Sequence, residues 1–335
     1  MTLAEIRNHY GSLDLVVIGY TLFTEGGDWR SIYLYFRDAQ QRGQRVKMID
    51  GKRSDGTKQL MAAGLLAPRV LVNGLNSLLH WPCLWLCLLR SDVYVYLHET
   101  AYALDQMERR HPIRSRLIRR VLRKNPLLCV SRQAEQLYEE RFRNRRTQVV
   151  YECTRLAQLD AFAGDKLHIL MTGTLDERKG VKLFSEVAEL AAARFPQAQF
   201  HWCGASASET PLFRSTRVCW HGWQPTVQPF LERSEIFFLS SVDDPCPLAA
   251  LEALAAGKKC VVYRRTGIAE LIEGIPGCAI YEDYTPAAAL AALETAAGTP
   301  LDQARVQAAV LGRTSPTNFA VNLETELGII PHQNQ

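Results

Sequence analysis

At 335 residues, with 47% hydrophobic and 22% charged residues, the chain is long enough for two domains with full cores and too apolar to be disordered. Its net charge of +4 is uneven: residues 1–165 carry 25 Lys and Arg against 17 Asp and Glu, the remainder 14 against 18, so the front half suits an anionic partner. Nine cysteines without a C-x-x-C pair argue against a disulfide framework or a zinc site and fit a reducing, cytoplasmic compartment.

The first residues, MTLAEIRNHYGS, read as charged and amphipathic rather than as a signal peptide. Residues 14–20 (DLVVIGY) are the apolar, β-branched run of a buried parallel strand. A loop over 24–28 follows, in which Gly26 and Gly27 let the backbone approach a ligand, although a plain turn explains the pair equally well. Ile32, Leu34, Tyr35 and Ala39 recur at helical spacing and predict a helix over 29–42, with strands over 45–50 and 69–73 after it. Residues 78–89 (LLHWPCLWLCLL) are apolar but interrupted by His80 and Pro82, and fall short of the roughly 20 residues a spanning helix needs. They read as a buried helix or, alternatively, as an apolar wall beside a lipid acceptor. A strand over 93–98 ends at His98-Glu99; strands over 126–131 and 147–151 flank a helix over 133–142.

The basic stretch 107–124 (MERRHPIRSRLIRRVLRK) stands out. A helix from Pro112 puts Ile113, Leu117, Ile118, Val121 and Leu122 on one side and Arg116, Arg119, Arg120, Arg123 and Lys124 on the other. Such a basic face suits anionic lipid headgroups, at up to about 1 kcal/mol per cation near the surface. An ordinary surface helix with its apolar side on the sheet fits equally, and the two readings are compatible. No aromatic residues interleave these charges, so nucleic acid is not an expected partner.

The pattern weakens over 152–165, where we place a linker between domains at 1–153 and 165–314. Strands follow over 166–172, 199–203, 218–221, 236–239, 259–263, 268–272 and 279–281, with helices over 181–194, 224–231, 286–297, 301–311 and 316–327. Alternating strands and helices in both halves give the α/β class with two doubly wound, Rossmann-like domains.

Two stretches of the second half suit anionic chemistry. Gly173-Thr174-Leu175-Asp176-Glu177-Arg178-Lys179-Gly180 is a glycine-bounded loop between strand and helix, with two cations where the helix dipole disfavours them, and can cradle a diphosphate. Residues 240–257 (SSVDDPCPLAALEALAAG) run from a strand through Asp243 and Asp244 into an Ala/Leu-rich helix with Pro247 at its first position and Gly257 as its stop. In parallel α/β sheets that corner binds ligands, and free amides of the first turn attract phosphate. Asp243 and Asp244, adjacent in extended backbone, point to opposite sides and so are not read as a metal site. Glu270 lies near a helix start.

The pattern Asp244-x7-Glu252, then Ala255-Ala256-Gly257 and Gly267-Ile268-Ala269-Glu270, resembles the signature of retaining GT-B glycosyltransferases of family 4, usually E-x7-E followed by G-G-x-x-E. Here Asp replaces the first Glu and Ile268 the second Gly. Thr174 stands where the family's G-R…K-G loop has Arg, leaving Arg178 to substitute, while Lys179-Gly180 keeps the second half. The resemblance implies two Rossmann-like domains facing across a cleft, with a C-terminal helix over 315–330 crossing back to the first. It implies that Asp244 meets donor-sugar hydroxyls and Glu252 the ribose. Lys179 and the amides around Pro247, Leu248 and Ala249 would hold the diphosphate, with Gly27, Thr174, Arg178 and Glu270 also near the donor. His98 would orient the reacting groups rather than act as general base. The implied reaction needs no metal and no cofactor beyond the nucleoside-diphosphate sugar. The implied acceptor is a glycan or lipid-linked glycan of bacterial-type surface polysaccharide or glycolipid assembly, at the inner face of a membrane. A nucleotide-sugar 2-epimerase, a non-catalytic sugar-nucleotide binder and a basic adaptor are the alternatives.

Overall fold

The computed structural model describes residues 8–20, 27–53, 56–155, 167–206, 213 and 215–330. The chain divides into two compact units, one formed by residues 1–153 with 316–335, the other by 154–315. The linker placed over 152–165 lies outside the described residues from 156 onward, as does Gly26.

The first unit comprises β1 (Leu15–Gly19), α1 (Arg30–Gln41), β2 (Val46–Asp50), α2 (Gly56–Leu66), β3 (Val70–Asn73), α3 (Leu75–Leu78) and α4 (Trp81–Leu89). It continues with β4 (Val93–Leu97), α5 (Ala101–Arg110), α6 (Pro112–Lys124), β5 (Leu127–Cys129), α7 (Arg132–Phe142) and β6 (Thr147–Val149). Its parallel strands run in the order β2-β1-β3-β4-β5-β6, so the chain reverses direction across the sheet between β1 and β3. All five residues of β1 are buried, as expected for a strand covered by helices on both faces.

The second unit comprises β7 (His168–Thr172), α8 (Val181–Ala191), β8 (Gln199–Cys203), β9 (Val218–Trp220), α9 (Gln228–Arg233), β10 (Ile236–Leu239) and α10 (Leu248–Ala255). Then come β11 (Lys259–Tyr263), α11 (Ala269–Ile272), β12 (Ala279–Tyr281), α12 (Pro286–Gly298) and α13 (Gln303–Thr314). The order β12-β11-β10-β7-β8-β9 is that of a doubly wound dinucleotide-binding sheet, with its switch point between β7 and β10. Phe184 of α8 packs edge-on against Phe200 and Trp202 and stacks on Phe238, forming the aromatic centre of this core.

The last helix, α14 (Pro316–Glu326), belongs to the first unit. Phe319 meets Tyr35 and Tyr96 edge-on or tilted. The buried Glu324 carboxylate accepts from Arg42 at 2.6 Å, and Arg69 donates to the Leu327 carbonyl at 2.9 Å.

Several elements differ from the sequence reading. Residues 268–272 form no strand: successive turns, Thr266 N–H to Tyr263 O and Ala269 N–H to Thr266 O, wind them into α11. A short apolar run fits a buried strand or a buried helix alike. The helix expected over 78–89 is broken, because Pro82 lacks an N–H and fits only a first turn, so α4 starts afresh at Trp81 after the extended His80. This segment is also not buried all round: Cys83, Leu84, Leu86 and Cys87 face inward while Trp81, Trp85 and Leu89 are exposed. Ile113, expected on the inward side of α6, is 71% exposed. Arg119, on the basic face as expected, is half-buried and pairs with Glu108 at 2.8 Å beside the Phe142 ring, while Arg116, Arg120, Arg123 and Lys124 are exposed. Pro247 is the cap of α10, with extended ψ, rather than its first helical residue. Helices α2 and α5 have no counterpart in the sequence reading.

Candidate active site

The strands β7 and β10 are neighbours at the switch point of the second sheet, and the loops leaving their carboxyl ends lie side by side. The first loop opens at Gly173, whose N–H donates to Cys203 O and whose carbonyl accepts from the Trp202 indole at 2.8 Å. It then turns on Asp176, whose carboxylate accepts the Lys179 N–H at 2.8 Å. It closes on Gly180, with φ +76°. Only glycine fits there: a Cβ would lie 1.9 Å from Ser240 O. Val242 N–H donates to Arg178 O, and the Ser240 hydroxyl to Lys179 O at 2.8 Å, so the two loops are joined backbone to backbone.

This joining aims Lys179 at Asp244. Their Nζ and Oδ2 atoms stand 2.6 Å apart, and the Arg178 guanidinium is 3.9 Å from the same oxygen while donating to Asp243 O. Asp244 is 6% exposed, and its carbonyl accepts the Gly267 N–H at 2.9 Å. A second cation therefore reaches the acid although position 174 is an exposed Thr. Asp244 occupies one of the three donors of the Lys179 ammonium and leaves the others for a further acceptor.

Three residues after Asp244, Pro247 caps α10. Its carbonyl takes the Ala250 and Leu251 amides, while those of Leu248 and Ala249, in the first turn, have no acceptor within the helix. Those amides and the helix dipole favour an anion. Glu252 lies one turn further on, half-buried. Glu270 is the second residue of α11, half-buried, following the Thr266-Gly267 turn that holds Asp244. The structure thus brings together Arg178, Lys179, Asp244 and the mouth of α10. Asp176, absent from the sequence-based candidates, fixes the Lys179 turn; an Asp three residues before a predicted ligand was the available signal.

His98 and Gly27 belong to the other unit. Gly27 is exposed and begins a single 3-10 turn, Gly27–Trp29. His98 follows β4; its Nε2 is 2.8 Å from Asn73 Oδ1, and its Nδ1 is 2.6 Å from a carboxylate oxygen of Glu152, which is 2% exposed. The sequence reading puts Glu152 at the start of the linker. It reaches His98 because residues 150–153 are tied across the strand ends: Val150 O accepts from the Tyr96 hydroxyl, and Cys153 N–H donates to Ser31 Oγ. With both ring nitrogens within hydrogen-bonding distance of side-chain oxygen atoms, the orientation of the His98 ring is fixed.

Residues 166–297 match the family of glycosyl transferases group 1. Comparison with curated proteins finds no match. Among solved structures, the chain is similar to HepE of Anabaena in complex with UDP and glucose (TM-score 0.73, 14% identity, covering 95% of this chain and 100% of that one). It is also similar to sucrose-phosphate synthase of Thermosynechococcus elongatus (TM-score 0.70, 15% identity, 93% and 97% covered). A further similar structure is WaaG, a glycosyltransferase involved in lipopolysaccharide biosynthesis (TM-score 0.57, 13% identity, 93% and 95% covered). The chain therefore has the GT-B fold of two Rossmann-like domains, and the match to glycosyl transferases group 1 falls on the second of them.

Proposed function

We propose that the chain is a retaining glycosyltransferase that moves a sugar from a nucleoside-diphosphate donor to a glycan or lipid-linked acceptor. The observation that carries this reading is the Lys179–Asp244 pair at the mouth of α10. A diphosphate seated on the Leu248 and Ala249 amides would take the remaining donors of Lys179, with Arg178 beside it. Asp244 would meet sugar hydroxyls, Glu252 the ribose, and Glu270 a further hydroxyl. As the bond from the anomeric carbon to the phosphate oxygen breaks, negative charge grows on that oxygen, where fixed cations and amides stabilise it most. The acceptor oxygen forms the new glycosidic bond, and its proton passes to the departing phosphate. This route requires no metal and no protein base, and the fixed ring of His98 would orient the reacting groups. That the HepE crystals hold UDP or UDP-glucose supports a nucleotide sugar as the donor.

A thermal-shift screen of nucleoside diphosphates and their sugars tests the reading, since ligands of the native state raise Tm. One of them is expected to stabilise the protein, and Glu252→Ala to weaken its binding about tenfold, or ~1.4 kcal/mol. Transfer of the sugar with its anomeric configuration kept is the expected reaction. No shift with any of them, or an inverted product, refutes it.

We further place the acceptor at an anionic membrane surface, on the inner face. No helix among the described residues is long and apolar enough to cross a membrane. The exposed Trp81, Trp85, Leu89 and Ile113 and the outward cations of α6 supply the apolar and charged contacts that interfacial binding uses. Arg120→Gln with Arg123→Gln is expected to weaken binding to phosphatidylglycerol vesicles about tenfold or more, at roughly 1 kcal/mol per cation. Equal sedimentation of variant and wild type with those vesicles would remove this part of the reading.

A further inference from the structure

The first unit has its own switch point, between β1 and β3, and a cavity of about 260 Å³ opens there. Its walls come from the residues that follow three strands: Tyr20 after β1, Gly51 after β2, and Leu79 to Pro82 beyond β3, with Thr57 of α2 and Arg114 of α6. In open α/β sheets this is where ligands bind.

The chemistry of the walls is specific. Tyr20 is 5% exposed, yet its hydroxyl has no hydrogen-bond partner among the described residues. A buried hydroxyl left so costs about 1–3 kcal/mol unless something meets it. Its ring is locked: His80 stacks on it at 3.6 Å between centroids, and a Cβ on Gly51 would lie 2.3 Å from its Cζ, so the phenol end needs a glycine wall. Arg114 donates to Leu79 O at 3.0 Å and lies 5.1 Å over the Trp81 ring, and it meets no carboxylate among the described residues. Trp81 begins α4, whose first turn carries no acidic residue and whose cap offers no side-chain bond. Burial depresses the His80 pKa, and repulsion from Lys52 and Arg114 depresses it further. The charged groups around His80 are thus cationic; Asp50, the described carboxylate acting on Tyr20, turns back to accept the Lys52 N–H.

We propose that this cavity is a phosphate subsite, binding a phosphoryl group through Arg114, the Tyr20 hydroxyl and the Trp81 amide at the start of α4. The inference deepens the glycosyltransferase reading, and rests on it, in assigning that phosphoryl group to the acceptor. Its chemistry is shared by a soluble sugar phosphate and a lipid-borne phosphate. The Trp81 face beside Arg114 gives the attached sugar or chain an apolar platform.

The test follows the imidazole resonance of His80, assigned with His80→Gln, by NMR in the full chain. Inorganic phosphate and glycerol 3-phosphate represent the soluble source, phosphatidylglycerol vesicles the lipid one, and glucose is the uncharged control. At least one phosphoryl probe is expected to move the resonance and raise its titration midpoint, because a nearby anion favours the imidazolium. Glucose is expected to do neither. Arg114→Gln should weaken the response about tenfold or more, as for a lost charge-assisted hydrogen bond, and Tyr20→Phe several-fold. A His80 resonance indifferent to all phosphoryl probes, or an equal response in Arg114→Gln, overturns the proposal. The readout is local, so it is distinct from nucleotide binding in the second unit. A thermal shift with nucleoside diphosphates that survives beside a silent His80 would remove this subsite and leave the donor reading standing.

Discussion

Replacing Lys179 by alanine is expected to lower kcat about a hundredfold, ~2.7 kcal/mol of barrier, the low end of what removing one preorganised charge-stabilising donor costs. The ammonium is held by three features: the Asp176 turn on its own N–H, the Ser240 hydroxyl on its carbonyl, and Asp244 at its tip. It therefore costs little to organise when charge develops on the departing phosphate. The variant also leaves Asp244 buried with only Arg178 at 3.9 Å, and an unpaired buried charge is destabilising by up to several kcal/mol. The double variant Lys179→Ala/Asp244→Asn separates the two effects. It should regain most of the lost Tm and none of the lost turnover. Turnover recovering together with stability would show that Lys179 is only a structural partner of Asp244.

Gly180→Ala is expected to cost about 3 kcal/mol or more, lowering the Tm of the second unit by roughly 6–12 °C at 2–4 °C per kcal/mol for a domain of this size. Two causes add. An L side chain at φ +76° costs about 1–3 kcal/mol, and the new Cβ would overlap a backbone carbonyl, Ser240 O, which no rotamer change relieves. That carbonyl is further pinned by the Tyr284 hydroxyl at 2.7 Å. Gly222→Ala is the internal control. It has a similar φ of +69° but open space around the Cβ, so only the conformational part is lost, about 1–2 kcal/mol. Calorimetric unfolding of the two variants checks this: similar losses would mean that the two loops are not locked together as described.

Strand positions were legible where the physics is local. The strands 199–203, 236–239, 259–263 and 279–281 were read within their observed limits, because strands buried on both faces are continuous apolar runs. Helix α2 escaped: GTKQLMAAGLL starts polar and carries Gly64 in its interior, which suits a close approach to Leu86 but weakens any helical signal. Residues 268–272 were misread since a short apolar run lacks a period, and successive turns decide its state. At the site, Lys179 and Asp244 were both legible as loop residues after strands, but the ion pair between them was not, because sheet order alone brings β7 next to β10. Glu152 shows the same limit: its partnership with His98 depends on how residues 150–153 return over β4. The exposure of Ile113 and the pairing of Arg119 with Glu108 likewise follow from the packing of α6 on its neighbours, which a single helix face read in isolation does not contain.

The central claim is that the second unit receives a nucleoside diphosphate through its phosphates, at Lys179 and the mouth of α10. Isothermal titration of wild type and Lys179→Ala with UDP and with uridine tests it most directly. The account predicts that UDP affinity falls about tenfold or more in the variant, ~1.4 kcal/mol, while uridine affinity stays unchanged. UDP binding equally well to both proteins would contradict it.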